Sequence, residues 1–135
     1  MSRIRELVAA LYPALRAGDR ATIERLVAPG FTATITAGLP AGIGGFHPSR
    51  DDMVDRGWWE MGRLFKIEVE PEQWIDCPDG RLLVIGRYVG TGRRTGVPFD
   101  AAFVHLFSAA GGQLTGLWHL TDSAQFVAAL PGAGR

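Results

Sequence analysis

The chain has 135 residues, 47% of them hydrophobic, a length that suits a single domain spanning residues 1–135 with one buried core. Its 14 basic and 14 acidic side chains cancel, so we expect neither nucleic acid nor an anionic membrane as a partner. Cys77 is the only cysteine, which excludes an internal disulfide and a multi-cysteine metal cage. The N-terminal segment lacks the apolar block of a secretion signal, and we expect a cytoplasmic protein.

Two amphipathic helices are predicted at the start of the chain. Apolar residues recur at three- and four-residue spacing over residues 4–15, and Gly18 ends this first helix. Asp19 is placed to cap a second helix, because its carboxylate can accept backbone N–H bonds, and residues 29–30 (Pro-Gly) stop it. The residues expected on its buried face are Ile23, Leu26 and Val27.

The rest of the chain predicts a sheet with one further helix. Residues 31–37 alternate apolar and hydroxyl side chains, which is typical of a strand, and residues 38–45 are small or turn-forming. Ser49 is placed to cap a third helix that carries Trp58 and Trp59. Four strands follow at about 66–77, 81–91, 98–108 and 113–120, before a short C-terminal helix near 123–130. Helices first and antiparallel strands afterwards indicate an α+β fold whose helices close over a curved sheet and enclose an apolar pocket.

The strand predicted at 98–108 is apolar on both faces. Phe103 and His105 share one face, while Val104 and Leu106 share the other. Helices can cover one face of such a sheet, and a second copy of the chain is the natural cover for the other. We therefore expect a homodimer.

Two of the three histidines fall in one predicted hairpin, and its register decides whether they meet. If residues 110–112 form a three-residue loop, His119 lies opposite Phe103 and diagonal to His105, with both rings on one face. If residues 111–112 form a two-residue turn instead, the two histidines fall on opposite faces and the site is lost.

Tyr88 is the third candidate for acid–base chemistry. Gly86, on the same strand, leaves a gap beside it that a ligand could occupy. Imidazole can take or return a proton near neutral pH, and a phenol can donate a hydrogen bond to an oxygen that gains negative charge. The alternative is that His105 and His119 are hydrogen-bonded core residues without a catalytic role.

Several further residues are candidates for substrate contact. Trp58 and Trp59 are adjacent on a helix, so only one of them can face inward. Tyr12, Trp74 and Trp118 are expected in the core first and as ligand contacts second. The predicted substrate contacts are Trp58, Trp59, Phe103, Leu117, Gly86, Tyr12 and Trp74.

The remaining titratable residues carry weaker expectations. We expect His47 to be a solvated loop residue, and residues 93–94 (Arg-Arg) to form an exposed hairpin loop or else to meet an anionic or carrier-bound substrate. No residues are spaced like a zinc motif, a phosphate loop, a nucleophile elbow or a dinucleotide fingerprint, so we expect no metal and no cofactor.

The order of these elements, with GDRATIERLVAPGF and the ending GGQLTGLWHLTD, resembles the SnoaL-like polyketide cyclases of the nuclear transport factor two-like superfamily over nearly the whole chain. The resemblance implies a cone-shaped curved sheet with a pocket between sheet and helices. The same superfamily also holds ketosteroid isomerases and limonene-type epoxide hydrolases.

By this resemblance, the catalytic Asp position of the cyclases is His119 here, and a histidine of their preceding strand falls on His105. Tyr88 falls near the carboxylate of the epoxide hydrolases and Gly86 at their arginine, so the hydrolase triad is absent. A histidine at the base position brings a more neutral pKa, suited to moving a proton from a hydroxyl or an activated carbon, or it means lost or different activity.

Three functions are open at this point. The first is a cofactor-independent cyclase or isomerase of an apolar, polyketide-like molecule, with His119 as general base or acid, His105 as its partner and Tyr88 as donor to the oxyanion. The second is a non-catalytic protein that sequesters or carries an apolar metabolite. The third is epoxide opening by a rearranged set of acids and bases.

Overall fold

A computed structural model describes residues 2–132 of the chain. As the apolar spacing predicts, two helices open the chain. Helix α1 (Arg3–Ala17) ends at Gly18, whose φ of 65° lies in the left-handed region that favours glycine. Helix α2 (Arg20–Leu26) begins after Asp19, whose carboxylate accepts the backbone N–H of Thr22 at 3.1 Å. The expectation that Val27 belongs to this helix is wrong, because its backbone is already extended and starts a strand.

The third helical segment is continuous but irregular. It consists of α3 (Arg50–Asp52), a π-helical turn (Met53–Trp58) and α4 (Trp59–Leu64). Ser49 caps it as predicted, since its hydroxyl accepts the N–H of Asp52 at 3.1 Å. Trp58, the last residue of the π-helical turn, lies on the sheet side of the segment, with its ring centroid 5.9 Å from that of Phe31.

Six strands and a short final helix complete the described chain: β1 (Val27–Ile35), β2 (Gly45–His47), β3 (Phe65–Asp76), β4 (Leu82–Gly92), β5 (Pro98–Ala110), β6 (Gln113–Thr121) and α5 (Ser123–Ala128). The strands form one sheet in the order β2-β1-β6-β5-β4-β3. All neighbouring strands run antiparallel except β1 and β6, which are parallel. The prediction of an α+β fold with a curved sheet is confirmed, and the edge strand β2 is an addition to it.

The two faces of this sheet differ in what covers them. The inner face packs against the helices, and Phe103 and Phe107 of β5 are each only 1% exposed. On the outer face, Phe46, Trp118 and Leu120 are 60%, 46% and 48% exposed. The expectation that Trp118 belongs to the core is therefore wrong, and the homodimer stays a prediction. In residues 2–132, no helix has both the length and the apolar character that crossing a membrane requires.

Candidate functional site

A cavity of about 350 Å³ lies between the inner face of the sheet and the helices. Its wall is formed mainly by apolar side chains of α1, the π-helical turn and the sheet. Among its polar side chains are those of two tyrosines and two histidines: Tyr12, Tyr88, His105 and His119. The three predicted catalytic residues thus come together on one cavity, joined by Tyr12 from α1.

The hairpin between β5 and β6 brings the two histidines together by a route the sequence did not indicate. Residues 111–112 form a two-residue turn, the arrangement expected to separate the rings. Thr115 then forms a bulge, because Ala109 pairs with Leu114 while Ser108 pairs with Gly116. The extra residue restores the shared face.

The bulge also changes the partner of His119. His119 lies directly opposite His105, and Phe103 pairs with Thr121. The predicted pairing of His119 with Phe103 is therefore wrong, although the two histidine rings do share the inner face. The ring centroids are 5.2 Å apart, and the ring planes are inclined by 28° to each other.

An unbroken series of hydrogen bonds links five side chains, which we call the hydroxyl–imidazole network. The Tyr12 hydroxyl lies 2.8 Å from Nδ1 of His105, and the Tyr88 hydroxyl lies 2.5 Å from Nε2 of His105 and 2.9 Å from Nε2 of His119. The hydroxyl of Thr36 lies 3.2 Å from Nδ1 of His119. All four ring nitrogens of the two histidines therefore face a hydroxyl group.

Proton counting gives this network a direction. Thr36 accepts the N–H of Thr121 at 2.9 Å and can donate to the carbonyl of His119 at 3.1 Å. When Thr36 does so, its only hydroxyl proton is used, and it must accept from Nδ1–H of His119. Because a neutral imidazole has one donor and one acceptor, Nε2 of His119 is then the acceptor. Tyr88 then donates to Nε2 of His119 and accepts from Nε2–H of His105. In this arrangement every hydrogen bond of the network is formed.

Burial keeps these groups uncharged at neutral pH. Desolvation lowers the pKa of His119 from 6.5 to about 4, and it lowers the pKa of His105 well below 6.5, with the nearby His119 acting in the same direction. Desolvation also raises the pKa values of both Tyr12 and Tyr88 above 10. The expectation that a histidine at position 119 has a pKa near neutrality is therefore wrong, because burial lowers the pKa of His119 below its ordinary value.

The expected gap beside Gly86 is filled by the protein itself. A Cβ atom at this position would lie 2.8 Å from the Phe103 ring and 2.4 Å from the carbonyl of Glu70. The Phe103 ring packs between Tyr88, at 4.6 Å between centroids, and His105, at 4.0 Å. Gly86 and Phe103 lie behind the cavity wall and support the network rather than facing a ligand.

The other predicted contacts divide between the wall and its surroundings. Trp58, Leu117 and Tyr12 line the cavity. Trp59 and Trp74 lie outside its wall, and the Trp74 ring packs edge-on against Tyr12 with centroids 6.0 Å apart. Of the two adjacent tryptophans, Trp58 is therefore the one that faces the cavity.

Two polar residues behave differently from what the sequence indicated. Thr36 was not among the candidates, because it follows a strand of alternating hydroxyl residues and nothing local separates it from Thr32 and Thr34. His47 was expected to be solvated, but it is fully buried, with Nδ1 2.7 Å from the Asp52 carboxylate and Nε2 2.7 Å from the carbonyl of Ile43. It joins the loop before β2 to the third helical segment.

Metal-ligating side chains do not converge in the described part of the chain. No group of three His, Cys, Asp or Glu residues within 2–132 could hold a metal ion. His105, His119, Tyr12 and Tyr88 present neutral imidazole and phenol groups to the cavity.

No family model matches the chain, and a sequence search of curated proteins finds no match. Solved structures do match it. An NTF2-like protein from Burkholderia thailandensis shares 27% identity with a TM-score of 0.81, covering 96% of this chain and 98% of its own. TerC, co-crystallised with polyporic acid, shares 22% identity with a TM-score of 0.82, covering 95% and 98%. IdmH, a proposed polyketide cyclase from Streptomyces antibioticus, shares 19% identity with a TM-score of 0.78, covering 94% and 97%. These likenesses confirm the predicted fold.

Proposed function

We propose that this nuclear transport factor two-like protein is a cofactor-independent cyclase or isomerase that moves a proton on an apolar, polyketide-like ketone. The observation that carries the proposal is the hydroxyl–imidazole network on the wall of an apolar cavity. The similarity to IdmH supports a reaction of this general type. We further propose that the reaction belongs to natural product biosynthesis and that it takes place in the cytoplasm.

In the proposed reaction, Tyr88 and His119 act together as the base. The substrate gives a proton from the carbon beside its carbonyl to the Tyr88 oxygen, while Tyr88 passes its own proton to Nε2 of His119, 2.9 Å away. The Tyr88 hydroxyl then accepts hydrogen bonds from Nε2–H of both histidines. Its new proton is free to donate to the enolate oxygen, which gained the negative charge.

The enolate then leads to either product class. Returning the proton to a different carbon completes an isomerisation. Alternatively, attack of the enolate carbon on a second carbonyl of the same molecule closes a ring, and the alkoxide formed takes a proton from Tyr88, which recovers its own from Nε2–H of His119. His105 orients Tyr88 in both cases, through a hydrogen bond of 2.5 Å. The cavity holds the substrate in the reactive conformation, which supplies part of the rate by proximity and orientation.

Hydrogen–deuterium exchange on a simple ketone tests the proton transfer before the substrate is known. The probe is 2-tetralone, an apolar ketone, incubated with the protein in D₂O and followed by NMR. We expect the protein to accelerate exchange, and His119→Gln to reduce that acceleration by about 100-fold or more. Tyr88→Phe removes the hydroxyl between the two histidines and should act similarly.

A pair of threonines supplies the matched control. Thr36→Val removes the end of the network and is expected to slow exchange. Thr34→Val changes an exposed residue near the end of β1, two positions earlier, and should leave the rate unchanged. Exchange by His119→Gln at the wild-type rate would contradict the proposal.

The second candidate function is non-catalytic binding of an apolar metabolite. It is favoured by the lowered pKa of both histidines, which makes them weak bases, and by the fact that protein hydroxyls already occupy their ring nitrogens. Binding of polyporic acid or 2-tetralone without accelerated exchange, and recovery of each compound unchanged, would support this function over the first.

A further inference from the structure

Charged side chains occur on the cavity wall only at its rim, among the residues that the structure describes. They are Arg16, Glu68 and Arg93. Arg16 and Glu68 form an ion pair, with Nη2 and Oε1 2.9 Å apart, so their charges offset each other. Arg93 is the remaining charge, and it gives the rim of an otherwise apolar cavity a net positive character.

Arg93 is held in place without using its charge. Its backbone N–H donates to the carbonyl of Leu64 at 3.0 Å, and its Nε–H donates to the carbonyl of Gly62 at 2.8 Å, both at the C-terminal end of α4. No carboxylate in residues 2–132 forms an ion pair with it. A capping role accounts for one of its five N–H donors and leaves the four on the terminal nitrogens for another acceptor.

We propose that Arg93 binds the carboxylate, or a similar acidic group, of a ligand whose apolar body occupies the cavity. The planar guanidinium suits a carboxylate because two parallel N–H donors can meet its two oxygens. The ligand would then be anchored by its charge at the rim and by polar groups at the hydroxyl–imidazole network. This inference rests on the proposed function only in taking the cavity as the binding site.

Two probes that differ in charge test the proposal by calorimetry. The acid is 2-naphthylacetate, and its neutral counterpart is 2-(2-naphthyl)ethanol. We expect wild-type protein to bind the acid more tightly than the alcohol, and Arg93→Gln to weaken binding of the acid by about 5- to 10-fold while binding of the alcohol is unchanged. Arg93→Lys keeps the charge and should retain most of the affinity for the acid.

Arg94 provides the matched control, because it is an exposed arginine next in sequence that does not line the cavity. Arg94→Gln should affect neither probe. Equal affinities of wild-type protein for acid and alcohol, equal losses for both probes in Arg93→Gln, or no binding of either probe would overturn the proposal. Failure of the proposed function has a separate readout, because 2-tetralone carries no charge and its exchange does not depend on Arg93.

Discussion

Acidification from pH 7 to pH 5 is expected to destabilise the folded protein, chiefly through His119 and His105. Burial lowers the pKa of His119 from 6.5 to about 4, so the unfolded chain takes up a proton in a pH range where the folded chain does not. The free energy of unfolding is therefore highest above about pH 6.5, and it falls between about pH 6.5 and pH 4. The lowered pKa of His105 acts in the same direction.

The size of the effect follows from the pKa difference. At ~1.36 kcal/mol per pH unit, the contribution of His119 is about 3 kcal/mol over the whole range, and about 2 kcal/mol of it is lost between pH 7 and pH 5. The carboxyl groups of Asp19, Glu60 and Asp79 also have lowered pKa values, because each accepts hydrogen bonds from a neighbour. Their contribution is lost only below about pH 4.5, outside this window.

Urea unfolding at pH 7, 6 and 5 measures this dependence through the extrapolated free energy of unfolding. His119→Gln serves as the comparison, because an amide can still form hydrogen bonds with Tyr88 and Thr36 but does not titrate. Between pH 7 and pH 5, the wild-type protein should lose about 2 kcal/mol more than this variant. Parallel curves for the two proteins would refute the assignment of a lowered pKa to buried His119.

Two further predictions concern the sheet. In urea unfolding, Gly86→Ala should destabilise the protein by about 1–3 kcal/mol, because the added methyl group would overlap the Phe103 ring and the backbone of β3. Gly30→Ala is the control: no heavy atom lies within 4 Å of its new methyl group, and it should change stability by less than about 0.5 kcal/mol. The exposed apolar outer face predicts a homodimer that Trp118→Lys converts to a monomer in sedimentation velocity. A wild-type protein that sediments as a monomer would contradict this.

The element order could be predicted from the sequence because the apolar spacing is strong, but the register of the last hairpin could not. The glycines at 111 and 112 both have positive φ, 60° and 79°, which suits a two-residue turn. The bulge at Thr115 is then required because Leu114 and Leu117 are both buried, and residues three apart cannot share one face of a regular strand. That odd spacing was the available signal.

The candidate site was predicted in its chemical groups but not in their arrangement. Tyr88, His105 and His119 could be chosen from residue type and strand face. The contributions of Tyr12 and Thr36 depend on how α1 and the end of β1 approach β5 and β6, which is a tertiary contact with no local pattern. The same holds for Phe103, whose ring takes the space that Gly86 leaves.

The presence of histidine rather than aspartate at position 119 fits the apolar interior of the cavity, where His119 is buried. An ionised carboxylate buried there would carry a desolvation cost of several kcal/mol, whereas a neutral imidazole has both nitrogens satisfied by Tyr88 and Thr36. The consequence is a weak base, since burial holds the pKa of His119 at about 4. In the proposed reaction, such a base is suited to protons that the substrate itself makes acidic, and a carbon between two carbonyl groups, the repeating feature of a polyketide, has such protons.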